Sequence, residues 1–103
     1  MKQFDICENL HRAAAKHAPY YVALQSDLLG PLDVRLVAPL VVPASVKPIK
    51  KLTPIVELDE EIYLLSMLQL ASVRTQYIGK TVGSVSDRRH EIVAALDLLV
   101  MGV

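Results

Sequence analysis

The stretch that decides the fold is SVSDRRHEIVAALDLLVMGV, at residues 84–103. Ser84, with Asp87 three residues later, has the form of a capping box, which marks the start of a helix. Apolar residues then recur at helical spacing, at Val85, Ile92, Leu96, Leu99 and Val103. The pattern predicts one amphipathic helix over this stretch.

The second half of this predicted helix carries more apolar surface than a single stripe needs. From residue 92 to residue 103 the only charged side chain is Asp97. The stripe that packs against the chain's own core is formed by Ile92, Leu96 and Leu99. Four more apolar residues lie beyond it, namely Val93, Leu98, Val100 and Met101. Because a small domain has little depth in which to bury them, we expect a second copy to cover them in a homodimer.

Short runs rich in apolar and β-branched residues precede the helix. The first two are residues 4–7 and 20–24, and the third, residues 34–40, is apolar except for Arg35. Residues 55–58 and 62–65 flank three acidic residues and predict a β-hairpin. Residues 74–78 predict a last strand, ended by Gly79. Five or six strands followed by one helix indicate the α+β class.

Two segments between these runs are predicted to be irregular. Residues 8–17 are polar, with three alanines, and predict a loop or a brief helix. Pro39, Pro43 and Pro48 fall within ten residues and are expected to exclude a regular helix or a central strand there. The lysines that follow, at positions 47, 50 and 51, are interpreted as solvated.

Composition narrows the class of protein. The chain has 103 residues, which predicts one domain over residues 1–103, and its 52% apolar and 21% charged residues exclude disorder. Eleven basic residues balance eleven acidic ones, which argues against a dedicated nucleic-acid binder. One cysteine permits no internal disulfide. Without a signal-peptide pattern or an apolar run of about 20 residues, we expect a cytoplasmic protein that does not contact a membrane.

The sequence offers little for catalysis. Cys7 lies near His11 and His17, and a thiolate needs such a base, but we interpret these as loop histidines near a buried cysteine. The acidic run at residues 59–61 is interpreted as a solvated hairpin tip, because it lacks the further ligands of a calcium loop. We therefore expect no catalytic residue, no metal and no cofactor.

Several motifs resemble those of one family from end to end of the chain. The start, residues 1–4, resembles the family's opening strand, and the quoted motifs are YVALQSDLL at residues 21–29, RLVAPL at 35–40, PIV at 54–56, ASV at 71–73 and RHEIVAALDLL at 89–99. The whole chain thus resembles the CcdB family of bacterial toxins. The family pattern differs at Ala23, where an aspartate is usual, at Arg74, where proline is common, and at Met101, where many relatives have tryptophan.

The resemblance implies a fold and an activity. The fold is α+β, an SH3-like, strongly bent antiparallel sheet or barrel of five to seven strands with one C-terminal helix, assembled as a homodimer. The activity is that of a non-enzymatic toxin that binds the DNA gyrase A subunit and traps the gyrase–DNA cleavage complex. The positions that match the family's gyrase-binding residues are Leu28, Leu29, Asp97, Val100, Met101, Gly102 and Val103.

The resemblance also implies a CcdA-like antitoxin that is partly disordered, folds on the toxin and binds its own operator DNA. The toxin would reach that DNA only through the antitoxin. The region that the antitoxin covers matches residues 8–16 and 43–51. Within this region, the resemblance implies that the antitoxin binds at Glu8, Asn9, Leu10, His11, Arg12, Pro43, Lys47 and Lys50.

Two alternatives share the fold. Ribonuclease toxins of the MazF type have a similar barrel, and Arg35 with His17 could serve as the cation and the acid or base of such an enzyme. A CcdB-like protein that is inactive on gyrase, kept as an antitoxin sponge, is the other alternative. The methionine at position 101 is the residue on which this second alternative depends.

Overall fold

The computed structural model of the chain describes residues 1–30 and 32–102. Over these residues the strands and α-helices are, in order, β1 (Asp5–Asn9), α1 (Arg12–Ala15), β2 (Tyr20–Ala23), β3 (Val34–Val41), β4 (Ile55–Leu58), β5 (Glu61–Leu65), β6 (Ala71–Arg74), β7 (Ile78–Ser84) and α2 (Arg89–Met101). Short 3₁₀ turns join several of these elements.

The strands form one antiparallel sheet that curls into a half-barrel. Its order is β4-β5-β3-β2-β1-β7, and β6 pairs with β3 next to β5. The edge strands β4 and β7 approach each other, since a Cβ atom built on Gly83 would lie 3.2 Å from Leu58 Cδ1. The predicted α+β class, with an SH3-like bent sheet and one C-terminal helix, is confirmed.

Helix α2 packs against the core through one narrow stripe. Ile92 and Ala95 are 1% and 0% exposed, and Leu96 packs beside them. The Arg88 guanidinium ties the start of the helix to the sheet: it pairs with Glu91 at 2.8 Å and donates to the backbone carbonyl of Ile55 on β4. None of the helices in the described residues is long and apolar enough to cross a membrane.

Phe4 connects the start of the chain to the start of α2. Its φ of 70° is in the left-handed region, which a bulky residue adopts rarely. Its N–H donates to the carbonyl of Ala23 and its carbonyl accepts from the N–H of Val85, at 2.6 and 2.9 Å. The Arg89 guanidinium lies 5.5 Å from the centre of its ring. These contacts outweigh the backbone cost of about 1–3 kcal/mol.

The strand predicted over residues 34–40 is confirmed as β3, so the expectation that the prolines exclude a central strand is wrong at Pro39. Pro39 is buried within β3 and lies opposite Tyr21 of β2. In an antiparallel sheet, the N–H and the carbonyl of one residue point toward the same neighbouring strand. The Pro39 carbonyl accepts from the N–H of Ser66, so the N–H that proline lacks would have pointed to that side as well. On that side β3 changes partner, because β6 begins at Ala71 opposite Val37 and β5 ends at Leu65 opposite Leu40. The missing donor therefore falls in a gap of the ladder.

The end of the sheet also differs from the prediction. Residues 75–77 form a 3₁₀ turn between β6 and β7 in place of the predicted strand over residues 74–78. Gly79 lies inside β7 and does not end a strand. A Cβ atom at this position would lie 2.9 Å from Glu8 Cβ and 3.0 Å from Leu10 Cδ2. Glycine is needed here because β1 approaches closely.

The predicted capping box is wrong as well. Ser84 is the last residue of β7, and its hydroxyl accepts from the N–H of Ser86 at 3.1 Å, two residues on, as in a turn. A 3₁₀ turn at residues 86–88 follows, and α2 begins at Arg89 with no side-chain cap.

The predicted β-hairpin is confirmed: β4 and β5 pair, and Asp59 and Glu60, with φ of 52° and 67°, form the tight turn between them.

Gly79→Ala is expected to lower the free energy of unfolding by about 1–3 kcal/mol, because the added methyl overlaps Glu8 and Leu10. Urea unfolding at fixed protein concentration measures this. Lys80→Ala is the matched control, since Lys80 is the exposed neighbour on the same strand, and it should change stability by less than about 0.5 kcal/mol. A Gly79→Ala protein as stable as the parent would contradict this, because it would show that β1 shifts to make room for the methyl group without lowering the free energy of unfolding.

Candidate functional site

The C-terminal end of α2 carries an exposed apolar surface. Val100 and Met101 are 71% and 70% exposed, and Val93, two turns earlier on the same face as Val100, is 39% exposed. Leu98 and Leu99 are half-buried, and Asp97 is exposed. The surplus apolar surface that the sequence indicated is therefore on the outside of this chain. What covers it stays a prediction.

Gly102 ends the helix by its conformation. Its φ is 71°, and its N–H donates to the carbonyl of Leu98 at 3.1 Å. A Cβ atom there would meet nothing within 4 Å, so the glycine serves the left-handed backbone. This fixes how the chain leaves the helix after Met101. Val103, the last predicted gyrase contact, lies outside the described residues.

A second exposed apolar display lies on the turn after β2. Leu28 and Leu29 are 96% and 61% exposed on a 3₁₀ turn at residues 27–29. The turn is held by the Ser26 hydroxyl, which accepts from the Leu28 N–H, and by the Asp27 carboxylate, which accepts from the Gln3 N–H. Helix α2 makes its main contacts with the turns at residues 67–69 and 86–88.

The first predicted antitoxin segment surrounds α1. Leu10, His11 and Arg12 are exposed, and the His11 ring packs against Tyr77 at a tilt of 58°, with centroids 5.0 Å apart. Asn9 is only 7% exposed. Its amide donates to the Ala18 carbonyl at 2.7 Å and accepts from the His11 N–H at 2.8 Å. Asn9 thus shapes this loop, and Glu8 is half-buried beside β7.

The second predicted antitoxin segment, here the proline loop (residues 43–51), lies against the first. Pro43, Lys47 and Lys50 are exposed. The contact runs through His17, the residue that follows the first segment. Its Nδ1 lies 3.1 Å from the Ser45 hydroxyl of the proline loop, and its carbonyl accepts from the N–H of Val42, just before that loop, at 2.9 Å. The structure therefore brings together two segments that are some thirty residues apart in sequence.

A pocket of about 550 Å³, here the α1 pocket, lies between α1 and the proline loop. Its apolar lining includes Ala14, Ala18, Pro39, Val41, Val42 and Val46. His17, Ser45 and Gln69 supply polar groups to it. The pocket leaves no pattern in the sequence, because its walls come from separate segments and no local spacing connects them.

The Cys7 thiol is buried and unavailable. It is 1% exposed, and Sγ lies 3.6 Å from the Thr81 hydroxyl. Burial raises the pKa of the thiol; the Thr81 hydrogen bond opposes this and the Asp5 carboxylate adds to it. His11 packs on Tyr77 and His17 bonds to Ser45, and both histidines lie in loops. That neither takes part in catalysis with Cys7 stays a prediction.

The two residues that a ribonuclease would need lie far apart. Arg35 is near the start of β3, whereas His17 is bonded to Val42, just past the other end of that strand. Seven residues of strand separate these points, about 23 Å at about 3.3 Å per residue. Arg35 is not among the residues that line the pocket to which His17 contributes. Within residues 1–30 and 32–102, no group of three or more potential ligands could hold a metal ion.

Comparison with known families agrees with this arrangement. A family model described as CcdB protein matches residues 3–102. The match covers both exposed apolar displays, the loop around α1 and the proline loop. The chain belongs to the CcdB family and is a toxin of a toxin–antitoxin system.

Proposed function

We propose that this toxin binds the A subunit of DNA gyrase and traps the gyrase–DNA cleavage complex, and that a CcdA-like antitoxin releases it. Membership of the CcdB family supports the target class. The observation that carries the proposal is the exposed apolar end of α2, with Val100 and Met101 at 71% and 70% exposure. Apolar side chains displayed in this way at the tip of a helix are typical of a docking surface.

The proposed mechanism is binding without catalysis. A ligand that binds one conformation of its target more tightly than the others shifts the population toward that conformation. Gyrase with a cleaved DNA segment is such a conformation, and holding it prevents religation. The toxin needs only a rigid, exposed tip, which α2 supplies because Gly102 ends it abruptly.

Methionine at position 101 takes the place of the tryptophan found in many relatives. Its flexible thioether adapts to an apolar cleft without a fixed ring plane. It buries less area than tryptophan, so the affinity for gyrase is lower unless Val100 adds to the contact. Leu28 and Leu29, exposed on their turn, form the second contact in this proposal.

Two copies of the chain make the symmetric unit that the mechanism requires. Gyrase A subunits form a two-fold dimer, and a two-fold toxin dimer would engage both halves at once. Sedimentation velocity at micromolar concentration is expected to give twice the chain mass of 11.4 kDa. A monomer under these conditions would contradict both the dimer and the symmetric mechanism.

The proposed function is tested by incubating the protein with purified gyrase, plasmid DNA and ATP, and then denaturing the complex. Linear plasmid that accumulates with toxin concentration supports gyrase trapping. A parallel lane with single-stranded RNA tests the ribonuclease alternative. If neither nucleic acid is cleaved, the proposed function is wrong and the chain is a family member that is inactive on gyrase.

A further inference from the structure

Phe4 has a backbone conformation that glycine would adopt at lower cost. It is the third residue of a turn from Lys2 to Asp5, since the Asp5 N–H donates to the Lys2 carbonyl at 3.0 Å. Turns that place their third residue at positive φ usually have glycine or asparagine there, whereas Phe4 has a φ of 70°. A strained residue of this kind indicates that its side chain has a task that glycine could not perform.

Phe4 holds the base of α2 through its backbone and its ring. Its carbonyl accepts from the N–H of Val85, four residues before the helix begins, at 2.9 Å. Its ring belongs to the core cluster that includes Val85 and Ile92. The guanidinium of Arg89, the first residue of α2, lies over this ring. The start of the helix is therefore fixed to residue 4.

Gln3 extends these contacts to the turn at residues 27–29, which carries the second exposed apolar display. Its N–H donates to the Asp27 carboxylate at 2.8 Å, and its side-chain amide donates to the Leu24 carbonyl at 3.0 Å. Because Gln3 and Phe4 are neighbours in the chain, a single peptide bond links the support of this turn to the support of α2.

The length of α2 makes the orientation of its base important for its tip. Its thirteen residues, at about 1.5 Å each, give a length of about 20 Å. A tilt of about 5° at Arg89 would displace Met101 by about 2 Å, whereas binding groups must be held within about 0.5 Å of their places. Contact through both displays at once therefore requires a fixed relation between the turn and the helix.

We infer that Phe4, together with Gln3, is a positioning residue that fixes the turn at residues 27–29 relative to α2, so that the two exposed apolar displays engage one target as a single surface. This rests on the proposed function in that the target is gyrase. Phe4 is buried and acts through Asp27 at one end and Arg89 at the other. A change at either end is therefore expected to be transmitted to the other, which a merely local support would not do.

The first test changes the two ends, because Phe4 belongs to the core and its own substitution could unfold the chain. Asp27 and Arg89 are both exposed. In the full chain labelled with nitrogen-15, Asp27→Ala is expected to lower the amide order parameters of the turn from about 0.85 toward about 0.6, and to shift the amide resonance of Val85. Arg89→Ala is expected to shift the amide resonances of the turn in return.

Three further variants are the controls. Asp27→Asn keeps an oxygen that can accept from the Gln3 N–H, so it should behave as the parent does. Asp33→Ala and Arg74→Ala remove the same charges from other exposed positions and should shift neither the turn nor Val85. If Asp27→Ala shifts only the turn, or Arg89→Ala shifts only α2, the inference is overturned.

A double-mutant cycle in the gyrase cleavage assay connects this coupling to the proposed function. Asp27→Ala alone is expected to lower trapping by about tenfold, and Asp27→Asn should restore it. Replacing both leucines of the turn by alanine should cost the parent more than the Asp27→Ala protein, in which the turn is already out of place. Equal costs in the two backgrounds would also overturn the inference.

The two tests separate this inference from the proposed function. A parent protein that traps no cleaved DNA would refute the proposed function. Shifts transmitted in both directions between Asp27 and Arg89 in that same protein would still support Phe4 as the residue that fixes the turn relative to α2.

Discussion

A chain that lacks residues 101–103 is expected to lose its trapping of cleaved DNA by about 100-fold or more, and to stop inhibiting growth of a bacterial host. Met101 is 70% exposed and makes no part of the core, so its removal takes away contact surface without taking away fold. Truncation of a central apolar anchor costs an interface about 2–4 kcal/mol, which corresponds to factors of tens to hundreds. The linear plasmid formed by gyrase at several toxin concentrations measures the effect.

The controls separate loss of contact from loss of structure. Leu10→Ala removes an apolar side chain of 51% exposure on a different surface and should leave gyrase trapping unchanged. Gly102→Glu should act like the truncation, because it adds a charge at the tip and disfavours the φ of 71°. Met101→Trp should raise potency. A truncated protein that still arrests growth, or a Met101→Trp protein no better than the parent, would show that the tip of α2 does not make the contact.

Periodicity was sufficient to predict the helix but not where it begins. The apolar spacing from Ile92 to Leu99 predicts α2 correctly, since one face of an isolated helix already shows the pattern. The start is displaced because pairing with β1 extends β7 to Ser84, and a 3₁₀ turn then occupies residues 86–88. The pairing partner lies almost eighty residues away, so the local sequence contains no sign of it.

The missed strands have a similar explanation. β6 and β7 contain small residues such as Ser72, Gly79 and Gly83, and glycine in particular has a weak β propensity. Their conformation is set by the ladders with β3 and β1. Pro39 was misjudged because the exclusion of proline from strands assumes that every donor is needed, and this position faces a gap.

One part of the candidate site could be predicted from the sequence, and another part could not. The exposed tip of α2 was predictable, because its apolar residues exceed what one buried stripe can hold and remain visible in the sequence. The α1 pocket was not, because Ala14, Pro39 and Val46 become neighbours only when β2, β3 and the proline loop are in place. For Asn9 the prediction and the structure differ in another way. The sequence predicted Asn9 at the antitoxin contact surface, but its side chain is buried and hydrogen-bonded within its own loop.

Ile92→Ala is expected to lower the free energy of unfolding by about 2–4 kcal/mol, a large part of the about 5–15 kcal/mol typical of a domain. Ile92 is 1% exposed and belongs to the core cluster with Leu40, Leu65 and Met67, so the lost methyl groups leave a cavity. The midpoint of thermal unfolding should fall by about 10–25 °C. Urea and thermal unfolding at one protein concentration measure this, because a dimer makes stability depend on concentration.

The matched control for this change is the next residue of the same helix. Val93 is 39% exposed, so Val93→Ala should cost less than about 1 kcal/mol in the isolated chain. Helix propensity favours alanine at both positions, so it affects the two variants alike. The difference between their losses in free energy of unfolding therefore reports how deeply each side chain is buried. If Val93→Ala costs as much as Ile92→Ala, and the cost disappears on dilution, Val93 is buried between two copies of the chain. If Ile92→Ala costs little, α2 is not anchored to the sheet through this stripe, and a rigid tip could not be maintained.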